Sequence, residues 1–438
     1  MSRPPDVGVG TRTDALPRAL RVLALFARRR GWPLAVMVVF VVVGMGYSMW
    51  WSPVVHNAGG WVIPGDIWST WRAAHWVGWG AVGGVYGPDT QLVTFPGIAV
   101  LLAPVAMLSG HLGLSESIAP LFLSTPSSWF LLGPASMLLG SSFLLPFDAI
   151  AEEMGASPTR RIVLCWLAAA IGFQVVVLWG HPEDLLAIGL ALYGFVTVER
   201  ERWTLSGWIW GAAIVIQPLS LLLFPLQFVR IPKRLRPKVC CLAALPTLVL
   251  VGTPLLSEWR QTSRVMFHQA NFPILDHATP WIAFSPHFSA SSVGTGPGRI
   301  LALVVAVGLG IVAWRVRPRA LGLIWLCALA LCVRCFFEAV MVPFYLGPAF
   351  AVVVLAASVW ASWPRLLGAW GAAMAATVLA FHHLSEWDYW LPMVGLLALG
   401  LICALPGISE LRGPAMADGH TASELEHEHN ADGGLQPI

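Results

Sequence analysis

Apolar runs of about 17 to 22 residues recur along almost the whole chain, and they restrict its fold more than any other feature. Each run is long enough to cross a hydrocarbon core of about 30 Å as an α-helix. Only 11% of the 438 residues are charged, whereas a soluble domain carries about 25%. The sequence therefore predicts an all-α, polytopic transmembrane helical bundle of about 11 to 13 membrane segments, with short interfacial helices on its external loops.

The basic residues of short loops predict the topology, because Arg and Lys mark the cytoplasmic side. Arg28-Arg29-Arg30 precede the first run, so the N-terminus is predicted to be cytoplasmic and the first span, about 33–51, to be an uncleaved anchor. Further basic clusters predict spans at 162–179, 185–198, 239–256, 299–314, 320–336, 341–361, 366–382 and 390–405. The protein is thus expected in the plasma membrane, with both termini in the cytoplasm.

Three parts follow from this topology. Residues 1–32 form a basic cytoplasmic segment, 33–408 a membrane-embedded domain, and 409–438 a disordered cytoplasmic tail. The tail contains Glu424, Glu426, His427, Glu428 and His429, which could bind a metal ion, although such tails are more often simply solvated. The net charge of +3 is too small and too dispersed to indicate a nucleic-acid partner.

Two stretches do not fit a simple alternation of spans. Residues 91–148 must cross the membrane an odd number of times, yet they contain two strong apolar runs and a weak middle. Residues 206–229 lie between two basic clusters and break at Gln217-Pro218, which favours a hairpin of two short helices. A broken helix at membrane depth needs protein or a water-filled cavity around it, which indicates a site nearby.

The first external segment carries the first candidate residue. Residues from Asp66 to Trp79 read as an amphipathic, Trp-rich helix in the membrane interface. A belt of anchoring tryptophans would explain this pattern, but it leaves Asp66 unexplained. His75 lies in the same segment and is a candidate for substrate contact.

Other outward segments collect further titratable groups. The four residues at the outer end of a predicted span include His181, Glu183 and Asp184. Titratable groups at this position cost free energy unless water surrounds them or they serve a function. A polar turn at a helix start would account for the two carboxylates without a function. The long loop at about 257–298 is expected to be packed or functional, and it contains the candidates His268, Asp276 and His277.

An arginine near the outer end of another apolar run is also a candidate. Arg334 and Glu338 are four residues apart and share a helix face, so a buried intrahelical ion pair is one interpretation. An intramembrane arginine is a functional candidate in any case, and phosphate is its natural ligand. Tyr345, close by in the sequence, is a further candidate for substrate contact.

The order of these motifs resembles the GT-C glycosyltransferases, most closely the polyprenyl-phosphate-dependent mannosyl- and arabinofuranosyltransferases of the actinobacterial envelope. The resemblance covers most of the chain, but each motif is short. It is carried by Asp66, Trp68, Trp71, Ala73-Ala74, Gly84-Val85-Tyr86, Phe95-Pro96 through Pro104, Gly180-His181-Pro182, and Gly207 through Gly211-Ala212 to Gln217-Pro218.

The resemblance implies transfer of a sugar from a polyprenyl-phosphate donor to a glycolipid or glycan on the outer face, with inversion at the anomeric carbon. It implies that Asp66 is the general base and that Arg334, paired with Glu338, receives the donor phosphate. His181, Glu183 and Asp184 would orient the acceptor or help to hold a divalent cation.

One departure from the family pattern leaves other functions open. The lysine that these enzymes carry before proline is Gln217 here, so a cation near the donor phosphate is missing unless an arginine replaces it. A transporter or flippase is an alternative, because broken helices and intramembrane ion pairs also occur there. A non-catalytic scaffold of an envelope-synthesis complex is another.

Overall fold

The structure is a computed structural model, and it describes residues 25–26, 29–52, 60–87, 90, 92, 94–116, 124–267, 269–273 and 277–411. Nearly all of the predicted N-terminal segment 1–32 and of the predicted tail 409–438 lies outside these residues. The candidate metal ligands of the tail also lie outside them.

The described chain folds almost entirely into helices. These are α1 (Gly31–Gly46, continued by a π-helical turn Tyr47–Trp51), α2 (Gly65–Gly78), α3 (Gly97–His111), α4 (Trp129–Ser141), α5 (Leu144–Glu153), α6 (Pro158–Phe173, continued by a π-helical turn Gln174–Leu178), α7 (Pro182–Glu199), α8 (Trp203–Ile216), α9 (Phe224–Gln227), α10 (Arg236–Ser257), α11 (Trp259–Phe267), α12 (Gly298–Val316), α13 (Ala320–Phe337), α14 (Pro343–Trp360), α15 (Trp363–Leu379), α16 (Glu386–Cys403) and α17 (Ile408–Leu411). Two short strands, β1 (His287–Ser289) and β2 (Ser292–Val293), pair in antiparallel orientation.

Seven helical stretches of the described chain are long and apolar enough to cross a membrane. They are Gly31–Trp51, Trp129–Glu153, Pro158–Leu178, Lys233–Ser257, Gly298–Val316, Ala320–Phe337 and Pro343–Trp360. The predicted all-α, polytopic membrane bundle is therefore confirmed. Many bounds agree with the apolar runs to within a few residues, for example Gly298–Val316 for the predicted span 299–314.

Both stretches that depart from a simple alternation of spans contain helices at their apolar runs. Residues 97–111 and 129–153 are helical at the two strong apolar runs of 91–148. In the second stretch the predicted break lies at Gln217, whose backbone is extended, with φ −150° and ψ 117°. Pro218 causes it, because proline disfavours helical geometry in the preceding residue. After the break the chain forms only a 3-10 turn (Pro218–Leu222) and the single turn α9, so the second predicted short helix is reduced to these two turns.

Helix α14 forms the centre of the bundle, and all of its residues from 343 to 358 are buried. It packs against α6, α13 and α15. Many of its residues are small, and small residues let neighbouring helices approach closely inside a membrane. The first turn of α14 is thereby fixed in the protein interior, where it contributes to the candidate site.

A buried charge cluster joins the start of α1 to α5 and α6. Arg30 Nη1 lies 2.5 Å from Asp148 Oδ2, and Arg161 donates two hydrogen bonds of 2.8 Å to the same carboxylate. Glu152 completes the cluster through contacts with both arginines. A buried carboxylate needs such partners, because desolvation of an unpaired charge is strongly unfavourable.

Candidate functional site

Helix α2 places Asp66 beside the turn that precedes α7. Ile67, Trp68 and Trp71 are buried on one face of α2, which fixes the helix against the bundle. These buried tryptophans do not form an anchoring belt, whereas Trp76 and Trp79 of the same segment are exposed. Asp66, in the first helical turn, is left at the edge of a cavity.

Gly180 makes this approach possible. Its φ of +77° lies in the left-handed region that favours glycine, and a Cβ atom there would lie 2.7 Å from the Pro64 side chain. The turn before α7 can therefore lie directly against the start of α2. Residues 115 positions apart in the sequence, Asp66 and His181, are brought into hydrogen-bonding contact.

His181 bridges two carboxylates. Its Nε2 lies 3.0 Å from Asp66 Oδ2, and its Nδ1 lies 2.8 Å from Glu183 Oε1. Because both ring nitrogens face carboxylate acceptors, both donate and the ring is an imidazolium. The ring also stacks on Phe344 of α14, with a centroid separation of 3.7 Å. Contacts on three sides hold the ring in one orientation.

The charges of this triad determine its protonation. Burial alone would lower the pKa of His181, but the charge of Glu183 and the hydrogen bonds to both carboxylates outweigh burial and raise the pKa well above 6.5. Burial would likewise raise the pKa of Asp66, but the hydrogen bond and charge of His181 outweigh it and lower the pKa below 3.8. Asp66 is thus an ionised carboxylate at neutral pH, and its side chain is 57% exposed.

Asp184 is buried and does not line the cavity. Gln217 Nε2 donates a hydrogen bond of 2.5 Å to its Oδ1, and Thr94 Oγ1 donates to Gln217 Oε1 at 3.3 Å. The extended backbone at the helix break aims Gln217 at this carboxylate. Gln217 is therefore a neutral hydrogen-bonding partner of Asp184.

A second charged cluster lies across the cavity from the triad. Arg334 at the end of α13 and Arg299 at the start of α12 both approach Glu338 Oε1, with Nη2 and Nε at 3.1 Å and 3.6 Å respectively. The predicted Arg334–Glu338 pair is therefore present. Glu338 Oε1 nevertheless makes no hydrogen bond within the described chain, nor does the buried Arg334 Nη1.

Tyr345 of α14 orders the two guanidinium groups. The Arg334 guanidinium carbon lies 3.8 Å from the centroid of the Tyr345 ring. Arg299 Nη2 donates to the Tyr345 hydroxyl at 3.4 Å, and its Nη1 donates to Gln269 Oε1 at 3.0 Å. Two cations are thus held side by side in the lining of the cavity.

Arg299 is not among the site residues predicted from the sequence. It stands as a single basic residue at the start of an apolar run, a pattern that also marks the ordinary end of a membrane helix. The sequence does not single out Arg299; in the structure α12 packs closely on α13 at the neighbouring Gly298, where a Cβ atom would lie 1.9 Å from the Phe337 carbonyl oxygen. This close packing of α12 on α13 brings Arg299 to Glu338.

The triad and the arginines line one cavity of about 600 Å³. Its polar lining includes Asp66, His181, Glu183, Gln217, Arg299, Arg334 and Tyr345. Phe267, Phe272 and Leu303 line its apolar side, and all three are exposed on the protein surface. The cavity therefore joins a polar interior with carboxylates and guanidinium groups to an apolar opening.

The remaining predicted residues lie elsewhere. His75 Nε2 lies 2.6 Å from Glu116 Oε1, away from the cavity lining. His277 donates from Nε2 to the Ala380 carbonyl oxygen at 2.8 Å, stacks on Tyr389 and lines a second cavity of about 530 Å³. His268 and Asp276 lie outside the described residues.

Within the described ranges, no group of three or more His, Cys, Asp or Glu side chains is arranged to hold a metal ion. His181, Glu183 and Asp184, for which the resemblance implies that they orient the acceptor or help to hold a divalent cation, do not form such a group. The sequence matches no model of a known protein family and no curated protein.

Proposed function

We propose that this protein is an inverting membrane glycosyltransferase, which moves a mannosyl or arabinofuranosyl group from a polyprenyl-phosphate donor to an envelope glycolipid or glycan. The observation that carries the proposal is the shared cavity: an ionised, half-exposed carboxylate lines it together with two arginines. Sugar transfer from a phosphate needs both, a base for the acceptor hydroxyl and cations for the leaving group.

Asp66 is the base. Its Oδ2 is held by His181, and its Oδ1 has no hydrogen-bond partner in the described part of the chain, so it can accept the proton of a hydroxyl group. Removal of that proton lets the acceptor oxygen attack the anomeric carbon from the face opposite to the phosphate. The new carbon–oxygen bond forms as the old one breaks, which inverts the configuration.

Arg334 and Arg299 receive the phosphate, which leaves with the electron pair of the broken bond. Guanidinium groups bind phosphate oxygens through two parallel hydrogen bonds, and both arginines line the cavity. Arginine thus supplies the positive charge that Gln217 cannot. The apolar opening beside Phe267, Phe272 and Leu303 would accommodate the polyprenyl chain.

The outer face of the membrane is the proposed side of the reaction. Helix α6 and its π-helical turn run for 21 residues, about 31 Å, between the Arg161 cluster at one end and the His181 turn at the other. Arg30, Arg160 and Arg161 mark the cytoplasmic end by the charge rule. The cavity then opens on the opposite side, and both termini face the cytoplasm.

Transfer in proteoliposomes tests the proposal. A labelled polyprenyl-phosphate sugar should be consumed and polyprenyl phosphate released, and Asp66→Asn should lower the rate by about 10²–10⁴-fold. Asp388→Asn is the matched control, because Asp388 is an exposed aspartate in the first turn of α16 that does not line the cavity. It should keep the wild-type rate.

Other outcomes would reject the proposal. Movement of the labelled lipid across the bilayer without consumption would make the protein a flippase. Neither movement nor consumption, with either sugar and with the acceptor glycolipids of the envelope, would favour a scaffold. Transfer at the wild-type rate by Asp66→Asn would show that Asp66 is not the base.

A further inference from the structure

Helix α11 lies at the end of a membrane-spanning helix. Helix α10 is 22 residues long, about 33 Å, so it can cross the hydrocarbon core completely. The chain turns at Glu258, with φ −133° and ψ 54°, and α11 begins at the next residue. Helix α11 therefore starts at the depth of the lipid headgroups.

The surface of α11 is apolar where it continues the surface of α10. Leu248 and Val249 of α10 are exposed, as are Leu256, Trp259 and Phe267 near and along α11. Exposed apolar side chains that extend the lipid-facing surface of a spanning helix favour contact with lipid, and tryptophan favours the interface itself. Phe267 also separates this surface from the cavity, which it lines.

Two arginines give one face of α11 a positive charge. Arg260 and Arg264 are four residues apart and so share one face of the helix, and both are exposed. Neither guanidinium group has an ion-pair or hydrogen-bond partner within the ranges that the structure describes. Glu258, the adjacent acid, lies two residues before Arg260 and thus on the other side of the helix.

We propose that Arg260 and Arg264 bind the phosphate of an anionic phospholipid at this membrane surface. Two guanidinium groups on one face match a phosphate group, while the neighbouring apolar side chains contact the acyl chains. The site is separate from the arginines of the cavity and takes a lipid of the surrounding membrane. Because Val265, Met266 and Phe267 of the same helix line the cavity, the bound lipid holds one of its walls in place.

Photolabelling tests this site without requiring any transfer activity. The full-length protein is reconstituted with photoreactive analogues of phosphatidylglycerol or phosphatidylcholine, and the labelled peptides are identified by mass spectrometry. Each basic residue near an anionic surface raises lipid affinity roughly fivefold, so the two arginines together should give about a 30-fold preference for the anionic analogue at α11.

Three variants make the experiment decisive. Arg260→Gln combined with Arg264→Gln should abolish the preference at α11, and lysine at both positions should retain most of it. Arg315→Gln combined with Arg317→Gln removes two exposed arginines at the far end of α12 and should leave labelling at α11 unchanged. Equal labelling by the two analogues, or a preference that survives in the glutamine variant, would overturn the proposal.

Discussion

Replacement of His181 by glutamine isolates the effect of the central charge of the triad. Glutamine keeps a hydrogen-bonding side chain but removes the positive charge from between Asp66 and Glu183. The two carboxylates differ greatly in exposure, 57% for the Asp66 side chain and 3% for that of Glu183. The two ends of the triad should therefore respond differently.

The stability loss should come almost entirely from Glu183. Removing the partner of a buried charge typically costs about 3–5 kcal/mol, and Glu183 is buried. The exposed Asp66 end is screened by solvent and contributes at most about 1 kcal/mol. His181→Gln should thus destabilise the protein by about 3–5 kcal/mol in chemical unfolding, whereas Asp66→Asn should cost about 1 kcal/mol or less.

The pH dependence has a definite sign. The pKa of His181 is raised, so its stabilising contribution is complete below 6.5 and is lost as the pH rises through the raised value. The pKa of Asp66 is lowered, so its contribution is present above 3.8 and is lost as the pH falls through the lowered value. The stability difference between wild type and His181→Gln should be largest between pH 3.8 and 6.5.

Transfer kinetics give a second measurement. Without the imidazolium the pKa of Asp66 should rise, so the acidic limb of the pH profile of kcat/KM should move to higher pH. Phe344→Leu is the control, because it removes the stacking contact but leaves the charge of His181 in place. If the acidic limb of His181→Gln coincides with that of the wild type, the proposed coupling between His181 and Asp66 is wrong.

Three further changes probe other parts of the structure. Arg299→Gln should lower kcat/KM for the lipid-phosphate donor about tenfold, with a fall in kcat, because one guanidinium that stabilises the leaving phosphate is lost. Gly180→Ala should lower the unfolding temperature more than Gly113→Ala, since both glycines have positive φ but only Gly180 meets a neighbouring side chain. Asp148→Asn should cost clearly more than about 1 kcal/mol in chemical unfolding, because the buried Arg30 then keeps only Glu152 as a carboxylate partner.

Each of these three predictions has a result that would contradict it. An unchanged kcat/KM for the donor in Arg299→Gln would show that this arginine does not belong to the phosphate site. Equal losses at the two glycines would mean that the close approach of Gly180 to Pro64 has no energetic importance. For Asp148→Asn the comparison is Arg200→Gln, which breaks a half-exposed pair with Glu153, and similar losses in both would argue against burial as the cause.

The membrane helices could be predicted from the sequence because a bilayer demands long apolar segments with internal hydrogen bonds. The break at Gln217-Pro218 was predictable for a local reason, the geometry that proline imposes on its neighbour. The length of the helix after the break could not be predicted. Packing against α12 and α7 decides whether residues 218–227 form a full helix or two short turns, and the local sequence does not show that packing.

The candidate site was predictable as a set of residue types but not as an arrangement. Asp66, His181 and Arg334 could be identified because charged groups near membrane segments cost free energy and are therefore rare outside functional sites. That His181 joins Asp66 to Glu183 depends on the approach of two distant turns, which no local pattern encodes. His277 shows the converse, a histidine in a polar loop that proves to pack on Tyr389 outside the main cavity.

The contact between Arg30 and Asp148 has a consequence for biosynthesis. The two residues are 118 positions apart, so at about 5–20 residues per second the ribosome needs roughly 6–24 s to supply the carboxylate after the arginine has emerged. During that interval the guanidinium is unneutralised and can orient the nascent anchor helix in the translocon. Once Asp148 arrives, the same guanidinium pairs with it, and α1 is joined to helices that are made much later.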